Sequence, residues 1–564
     1  MTPDKDNNSG IFCSELIKTI GAELGSELGT ELNSNLQGIN KGNHFFVKIV
    51  NILLSIMNII SQISNNIINI FDTKDSIPSF IDFEDNFIIT KSKINNMILD
   101  IIGISLTYSN QHKLLDLYKK YYKSKGIILR TNKAVKISFI SLAGKITFNR
   151  YVLRPKTPKD YDLLVKNNQN TNIVPFDDYI GINMLNYKIT PRAMVEISYW
   201  ATLLLSYHSA LIPIKRIMNI EISYETVRSV TNEIGKLIFT NEMKKANLIN
   251  DLYNQCKLKE FHYNKKGIFY IEIDGAMINI HHNESFSLNF KQKNSSKNIK
   301  GDSKTAKTGW HENKLGLVFS SDNIVKKRRI IDKSVALNNK YDDDDEEYDV
   351  EILKRDYVSY IGGVEEFQKL LFACAIRNGY GEYEKTVLIS DGATWIKNVK
   401  SLYFPDSLHI LDFYHLSEHI YDFAKKYFND NEKKYVPWAK MVKSAFKNSE
   451  YKSLLPEIKN MQNKVDDKAF NFYNYLINNK DSIDYKKYRE LDLYIGSGHI
   501  ESGNKSVLQE RLKRPGMIWS LDVAQHLLTL RTKLKSNLWD IDVTNYIKEY
   551  CYKNNNLFFN IVNQ

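Results

Sequence analysis

Three acidic residues stand where they could bind a divalent metal ion together. Asp274 and Asp391 end two apolar runs, GIFYIEID and TVLISD, and a glycine follows each aspartate. Both runs are typical of strands, and short right-handed connections would place these strands side by side. Glu501 lies in the segment GSGHIESGNKSVLQERLK, which opens a predicted helix. We therefore predict that Asp274, Asp391 and Glu501 converge in one cluster.

The predicted cluster contains oxygen ligands and neither histidine nor cysteine. Hard oxygen ligands favour Mg²⁺ or Mn²⁺ over zinc. Two such ions about 3.5–4 Å apart can activate an attacking oxygen and stabilise a leaving oxygen during phosphoryl transfer. The attacking oxygen can come from water, which cuts a DNA strand, or from a 3′-hydroxyl group, which joins strands. Clustered carboxylates also repel one another, so their proton affinities should be raised until metal binds.

The elements around the acidic residues follow a fixed order along the chain. After the strand with Asp274, KLGLVFS and VKKRRIID are predicted as two more strands, and GGVEEFQKLLFACAIRNG is predicted as a helix. The strand that ends at Asp391 comes next, followed by a short strand in HILDFYH that ends near Asp412. A single Asp-Gly pair usually marks a turn, so the prediction of a site depends on this ordered combination.

Several motifs in this order resemble insertion-sequence transposases of the DDE type. The motifs are IDGA, SDGATW, LDFYH and GSGHIESGNKSVLQERLKRPGMIWS, followed by LLTLR and NLW, and the resemblance covers residues 134–540. It implies that Asp274, Asp391 and Glu501 are a catalytic triad that binds metal. It also implies an α/β ribonuclease-H-like core, which is a mixed five-stranded sheet with helices.

The same resemblance divides the C-terminal half of the chain. It implies a catalytic core at 251–415, a helical insertion at 416–489 and a second part of the core at 490–545 that carries the glutamate. Asp412 and His415 have the spacing of the C/D-x-x-H motif of Mutator-like and hAT-like transposases, so the resemblance places them beside the triad. Residues 546–564 are predicted to be a tail.

Two segments at the start of the chain are predicted to lie outside the catalytic core. Residues 1–40 contain the four-residue repeat GAEL-GSEL-GTEL-NSNL and are predicted to be flexible and of low complexity. Residues 41–125 are predicted to be helical, with apolar residues at alternating spacings of four and three, as in a coiled coil that forms a homo-oligomer. The alternative is a long helix packed on its own domain. The apolar residues are Ile49, Leu53, Ile56, Ile60, Ile63, Ile67 and Ile70.

Residues 126–250 are predicted to bind DNA. Residues 134–155 alternate as in a β-hairpin, and a long helix is predicted from Pro191 to about Tyr207. Two further helices joined by a short turn have helix-turn-helix spacing, and such a unit would place its second helix in the major groove. The alternative is a pair of packed core helices. The side chains predicted to contact DNA are Tyr224, Thr226 and Arg228.

The charge balance suits a polyanionic partner. Lys and Arg number 77 and Asp and Glu number 65, which gives a formal net charge of +12. Basic residues that follow the predicted catalytic glutamate are expected to contact DNA phosphates, although some would simply form a solvated face. The residues predicted to bind DNA there are Lys505, Arg511, Lys513, Arg514 and Arg531.

Cysteine usage and hydropathy bear on the compartment. The four cysteines form no CxxC pair, so neither a zinc knuckle nor a disulfide framework is expected. The polar start predicts no signal peptide, and the apolar stretch Phe45 to Ile60 is too interrupted for a membrane span. We expect a cytoplasmic, nucleoid-associated protein if the source is bacterial and a nuclear protein if it is eukaryotic, with no small-molecule cofactor.

Three functions remain open on the residues alone. The first is a transposase that acts on the terminal inverted repeats of its own element and on target DNA. The second is a related nuclease or resolvase that cuts DNA without joining it, because both share the carboxylate cluster. The third is a transposon-derived protein that binds DNA without catalysis.

Overall fold

The structure is a computed structural model that describes residues 44–72, 80–108, 111–167, 169–180, 188–256, 263–281, 308–328, 348–465 and 470–554. The described residues divide into two compact units. The first holds those up to Glu196, Ile212–Ile222 and those from Ile547 onward. The second holds the described parts of Ile197–Leu211 and Ser223–Tyr546, and therefore contains all three predicted catalytic residues.

Helices and a small hairpin make up the first unit. Strands β2 and β3 pair antiparallel as predicted, with Ser141 opposite Gly144, and Phe139, Ile146 and Phe148 are buried against the helix that carries Leu99. The elements are α1 (His44–Asp72), α2 (Phe80–Tyr108), α3 (Gln111–Ser124), β1 (Leu129–Thr131), β2 (Val135–Ser141), β3 (Gly144–Arg150), β4 (Leu153–Pro155), α4 (Pro158–Lys166) and α5 (Pro175–Ile180).

Helix α1 confirms the helical prediction for this part of the chain. On the predicted seam, Leu53 is 47% exposed and Ile60 is 49% exposed. The side chains of the last three seam residues lie outside the described residues, as does the repeat in 1–40. The coiled coil stays a prediction.

Three helices follow in the order α6 (Pro191–Leu203), α7 (Tyr207–Met218) and α8 (Tyr224–Asn254). The predicted continuation of α6 to Tyr207 is wrong. Ser206 stops it, because its side chain accepts a hydrogen bond from the Ser209 amide at 3.0 Å and caps a new helix. Ser223 caps α8 in the same way, accepting from the Thr226 amide at 3.2 Å.

A mixed five-stranded sheet forms the centre of the second unit. The chain runs through β5 (Lys265–His281), β6 (Thr308–Ser320), β7 (Ile324–Arg328), β8 (Tyr348–Ile352), β9 (Arg355–Ile361), α9 (Val364–Arg377), β10 (Tyr383–Ser390), α10 (Thr394–Tyr403) and β11 (Leu408–Leu411). The strand order in the sheet is β11-β10-β5-β6-β9. β6 is antiparallel to β5 and β9, whereas β10 is parallel to β5 and β11.

The strand that joins the sheet third in chain order differs from the prediction. The predicted strand VKKRRIID contributes β7, which pairs with β8 in a separate two-stranded ribbon. β9 takes the third place, and its buried residues include Tyr357 and Val358. The basic run in β7 explains the difference, since a charged strand is poorly suited to a sheet that is covered on both faces.

Helices cover both faces of this sheet. Helices α8, α9 and α10 pack against one face through a core that includes Phe269, Ile271, Phe367, Leu371 and Val399. The remaining helices are α11 (Phe413–Tyr427), α12 (Glu432–Lys447), α13 (Leu455–Gln462), α14 (Phe472–Asn478), α15 (Tyr485–Glu490), α16 (Gly498–Gly503), α17 (Glu510–Leu512), α18 (Leu521–Lys535) and α19 (Asn545–Asn554), with π-helical turns at Asn504–Gln509 and Trp539–Thr544.

Helices α11 to α15 occupy the range 416–489 that was predicted to be helical, although α11 already begins at Phe413. α16 packs against β5 and β6, and α18 lies along the open edge of β9, where Gln525 and Ser536 bond to the β9 backbone. Among the described residues, no helix is both long enough and apolar enough to cross a membrane.

Candidate active site

Three aspartates lie in one row across the parallel strands. The register pairs the residues that immediately precede Asp274, Asp391 and Asp412 with one another. The amide of Asp412 still donates to the carbonyl oxygen of Ser390, at 2.8 Å, so the pairing continues to this level. Since neighbouring strands lie about 4.8 Å apart, Asp274 and Asp391 are direct neighbours. We call these three residues the acidic row.

Gly392 turns the chain out of β10 directly after Asp391. Its φ is +82°, and a Cβ atom there would lie 2.6 Å from Leu411 Cδ1 and 2.9 Å from Asn479 Oδ1. The following amide, that of Ala393, donates to Asp391 Oδ1 at 2.9 Å. The glycine is therefore required by the turn that fixes the Asp391 carboxylate.

Glu272 brings Glu501 to the same face of the sheet. Glu272 precedes Asp274 by two residues, so both side chains leave β5 on one face. Its fully buried carboxylate accepts from the amide of Ile500 at 2.8 Å and lies 2.8 Å from Nδ1 of His499. Both donors belong to the first turn of α16, the helix that carries Glu501.

Asp412 anchors the chain just before α16. It is 2% exposed, caps α11 by accepting from the Tyr414 amide at 2.9 Å, and accepts a short hydrogen bond from the Ser497 hydroxyl. Asp412, which was predicted to lie beside the site, therefore also positions the start of α16. His415 also lies near the site, and its charge lowers the pKa of both Asp274 and Glu501.

The acidic residues interact electrostatically. Burial raises the pKa of Asp274 above its ordinary value and the charge of Asp391 adds to the rise, whereas hydrogen bonds from the Gly275 amide and from Asn504 lower it. Burial likewise raises the pKa of Glu501, and the charges of Asp412 and Asp274 raise it further. In the described part of the chain, no lysine or arginine forms an ion pair with Asp274, Asp391 or Glu501.

This arrangement stops short of a finished metal site. Within the described residues, no group of three or more His, Cys, Asp or Glu side chains is arranged to hold a metal ion. The donor chemistry nevertheless fits a hard divalent ion, because the carboxylates lack cationic partners and a buried amide oxygen beside them, Asn504 Oδ1, accepts no hydrogen bond. Asp274 interacts electrostatically with both Asp391 and Glu501, but the three carboxylates do not form a coordination geometry.

Two functional residues were missed by the sequence prediction. Glu272 reads as one more residue of an apolar strand, and only its two-residue spacing from Asp274 indicates a shared face. Asn504, which is 3% exposed, donates from Nδ2 to Oδ2 of Asp274. Its three-residue spacing from Glu501 was the available signal, since residues three apart are neighbours on a helix.

The basic residues predicted to bind DNA separate into two groups. Lys505, Lys513 and Arg514 are exposed and remain able to reach a phosphate. Arg511 and Arg531 are 1% and 2% exposed, and this burial argues against the phosphate contacts predicted for them.

Both buried arginines have a packing role. The guanidinium of Arg511 lies 4.6 Å from the ring centroid of Tyr207 and 5.4 Å from that of Trp519. Arg531 donates to the backbone carbonyl groups of Thr202, Ser506 and Val507.

Helix α8 is a core helix of the second unit. Ile234, Gly235 and Ile238 are buried, and a Cβ atom on Gly235 would lie 2.7 Å from the carbonyl oxygen of His526 in α18. This close packing supports the alternative of packed core helices. Contacts of its first turn with DNA stay a prediction: Tyr224 is 41% exposed, Arg228 is exposed and Thr226 is half-buried.

Comparison with known proteins adds no family to this description. No protein-family model matches the chain. No curated protein matches its sequence significantly.

Proposed function

We propose that this chain is a DDE-type transposase, which cuts and joins DNA strands at the ends of its own mobile element by metal-dependent phosphoryl transfer. The observation that carries the proposal is the placement of Asp274 and Asp391 side by side on parallel strands, with Glu501 held over the same face by α16. A sheet of three antiparallel strands followed by two parallel ones, with a helical insertion before Glu501, also supports a ribonuclease-H-like core.

Asp274, Asp391 and Glu501 would hold Mg²⁺ or Mn²⁺. When bound, the ions supply an activated oxygen nucleophile and stabilise the leaving oxygen. Residues of the chain itself position these ligands. Glu272 bonds to the first turn of α16 and Asp412 bonds to Ser497 just before it, and together they fix Glu501 relative to the acidic row. Carboxylates bind metal in their deprotonated form, so the raised pKa values of Asp274 and Glu501 make metal affinity rise with pH.

Exposed basic residues after Glu501 supply the contacts to DNA in this proposal. Lys505, Lys513 and Arg514 are available, and the Lys513 ammonium lies 6.0 Å from the ring centroid of Trp310, which is itself 60% exposed. Phosphate contacts by such residues make binding weaker as salt rises.

A strand-transfer assay tests the proposal. The substrate is a duplex with a free 3′-hydroxyl end, taken from the inverted repeats that flank the coding region, and a plasmid is the target, in Mg²⁺. We expect joined product with the parent chain and none with Asp391→Asn. Equal joining by the variant would remove Asp391 from the mechanism.

The same assay separates the other two functions. Cleaved ends that never become joined would indicate a nuclease or resolvase. A footprint on the terminal repeats that requires no metal, with neither cleavage nor joining, would indicate a DNA-binding protein.

A further inference from the structure

Among the described residues, the Asn504 side-chain amide forms a hydrogen bond through one of its two polar atoms and not through the other. Nδ2 donates to the Asp274 carboxylate, whereas Oδ1 is buried and accepts no hydrogen bond. A buried acceptor without a donor is destabilising. Such groups in native proteins call for an explanation, and one explanation is an ion that is absent from the described atoms.

The location of this free oxygen points to an ion. Asn504 donates directly to Asp274 and directly follows the helix that carries Glu501, so it contacts one proposed metal ligand and is three residues from another in the chain. Amide oxygens are accepted ligands of hard divalent cations. An amide also adds a ligand without adding negative charge to a site where the carboxylates already repel one another.

The backbone around Asn504 is built to hold this position. Asn504 begins the π-helical turn Asn504–Gln509, a wide turn of the kind found often at functional sites. The buried guanidinium of Arg531 donates to the carbonyl groups of Ser506 and Val507 inside this turn. Arg531 therefore stabilises the wide turn that directs Asn504 toward Asp274.

We propose that Oδ1 of Asn504 is a further ligand of the divalent ion bound by Asp274 and Glu501. This inference rests on the proposed function and extends its ligand set from three carboxylates to three carboxylates and one amide. In the metal-free protein, the same side chain holds Asp274 through Nδ2.

Mn²⁺ binding to the full-length chain, measured by calorimetry and by electron paramagnetic resonance without DNA, tests the inference. Asn504→Leu removes both amide atoms and should weaken binding at least about tenfold, the size of effect seen when groups around a metal site are lost. Asn504→Asp keeps an oxygen ligand but loses the donor, and it should bind Mn²⁺ at least as tightly as the parent.

Asn313→Leu is the matched control. Asn313 is a fully buried amide on β6 with an unpartnered atom of its own, Nδ2, and its Oδ1 accepts from the Ser359 hydroxyl. Its replacement should leave Mn²⁺ affinity unchanged.

The outcomes separate this inference from the proposed function. Weaker binding by Asn504→Asp overturns the inference, because the donor rather than the oxygen would then matter, and this isosteric variant decides even if Asn504→Leu fails to fold. Unchanged binding by Asn504→Leu overturns it as well. If Asp274→Asn leaves Mn²⁺ binding intact, the proposed metal site itself fails; if Asp274→Asn abolishes binding while Asn504→Leu does not, only the role of Asn504 fails.

Discussion

Two groups of acidic residues in the second unit differ in whether cations accompany them. One is the acidic row with Glu501. The other, which we call the ion network, joins Glu242, Asp356 and Asp542 to Arg377 and Lys533. Lys533 Nζ lies 2.6 Å from Glu242 Oε2 and 2.7 Å from Asp542 Oδ2, and Arg377 contacts all three acids.

The pKa values express the difference. Burial alone would raise the pKa of Glu242, but Lys533 and Arg377 lower it to about 2. Asp274 is half-buried and Glu501 is exposed, and burial together with neighbouring carboxylates raises the pKa of each. Acids paired with cations form a structural network, whereas acids gathered without cations are suited to a ligand that brings its own positive charge.

Removing a carboxylate from the acidic row should have the largest effect on activity. We expect Asp274→Asn to slow strand transfer about a thousandfold or more, because a metal ion contributes several kcal/mol to transition-state stabilisation. The free energy of unfolding of the metal-free protein should stay level or rise, since a repelling charge is lost. A large loss of stability in urea denaturation would assign Asp274 to the fold instead.

The ion network should show the reverse behaviour. Glu242→Gln removes one of two carboxylates that contact Lys533 and one of three that contact Arg377. Removal of one member of a buried ion pair costs about 3–5 kcal/mol. Mn²⁺ affinity of the folded protein should not change. Glu225→Gln, on the same helix but with a side chain that is 69% exposed, is the control and should have little effect on stability.

The two groups should also respond oppositely to pH. The folded-state pKa of Asp274 is raised, so its contribution to stability is complete below the ordinary carboxylate pKa and is lost as pH rises through the raised value. Glu242 has a lowered pKa, so its contribution is present above the ordinary value and is lost as pH falls toward about 2. Urea denaturation of metal-free protein across this range should show the first effect disappear in Asp274→Asn and the second in Glu242→Gln.

A backbone change at Gly392 sharpens the description of the acidic row. Gly392→Ala combines a φ of +82° with a close approach to Leu411 and Asn479, and should cost roughly 1–3 kcal/mol. Gly516→Ala is the control, because Gly516 has a φ of +76° with nothing within 4 Å of the added methyl group. Equal losses in the two variants would mean that the contacts around Gly392 are soft.

The smallest effect concerns DNA contacts. Arg514→Ala should weaken DNA binding uniformly across sequences and reduce the slope of log affinity against log salt by about one, as loss of a single phosphate contact does. Fluorescence anisotropy at several salt concentrations measures the slope. An unchanged slope would place Arg514 outside the interface.

The strands that carry the acidic row were predicted from the sequence better than the residues that hold those strands and α16 in place. Apolar runs that end in Asp274, Asp391 and Asp412 are local patterns, and all three strands appear in the predicted segments. The predicted strand end at Asp274 is wrong, because β5 continues to His281 in its pairing with β6. The third strand was predicted wrongly because β7 and β9 both form strands, and only the basic run in β7 indicated that it would pair with β8 outside the main sheet.

Long-range contacts explain what sequence reasoning could not reach. In the sequence, Arg511 and Arg531 resemble surface cations. In the structure, Arg511 packs on the ring of Tyr207 and Arg531 donates to the carbonyl oxygen of Thr202, both from distant segments. The role of Glu272 could not be predicted from the sequence either, since its partners in α16 lie 227 and 228 positions away.

That separation has a consequence for synthesis on the ribosome. The strands that carry Asp274 and Asp391 emerge long before residues 499 and 500, the two donors that satisfy the buried Glu272 carboxylate. Until those donors arrive, an uncompensated carboxylate in the sheet disfavours closure of this face. A nascent chain therefore contains its first two acids long before the third, so the site proposed above can form only after residues 499–501 have been made.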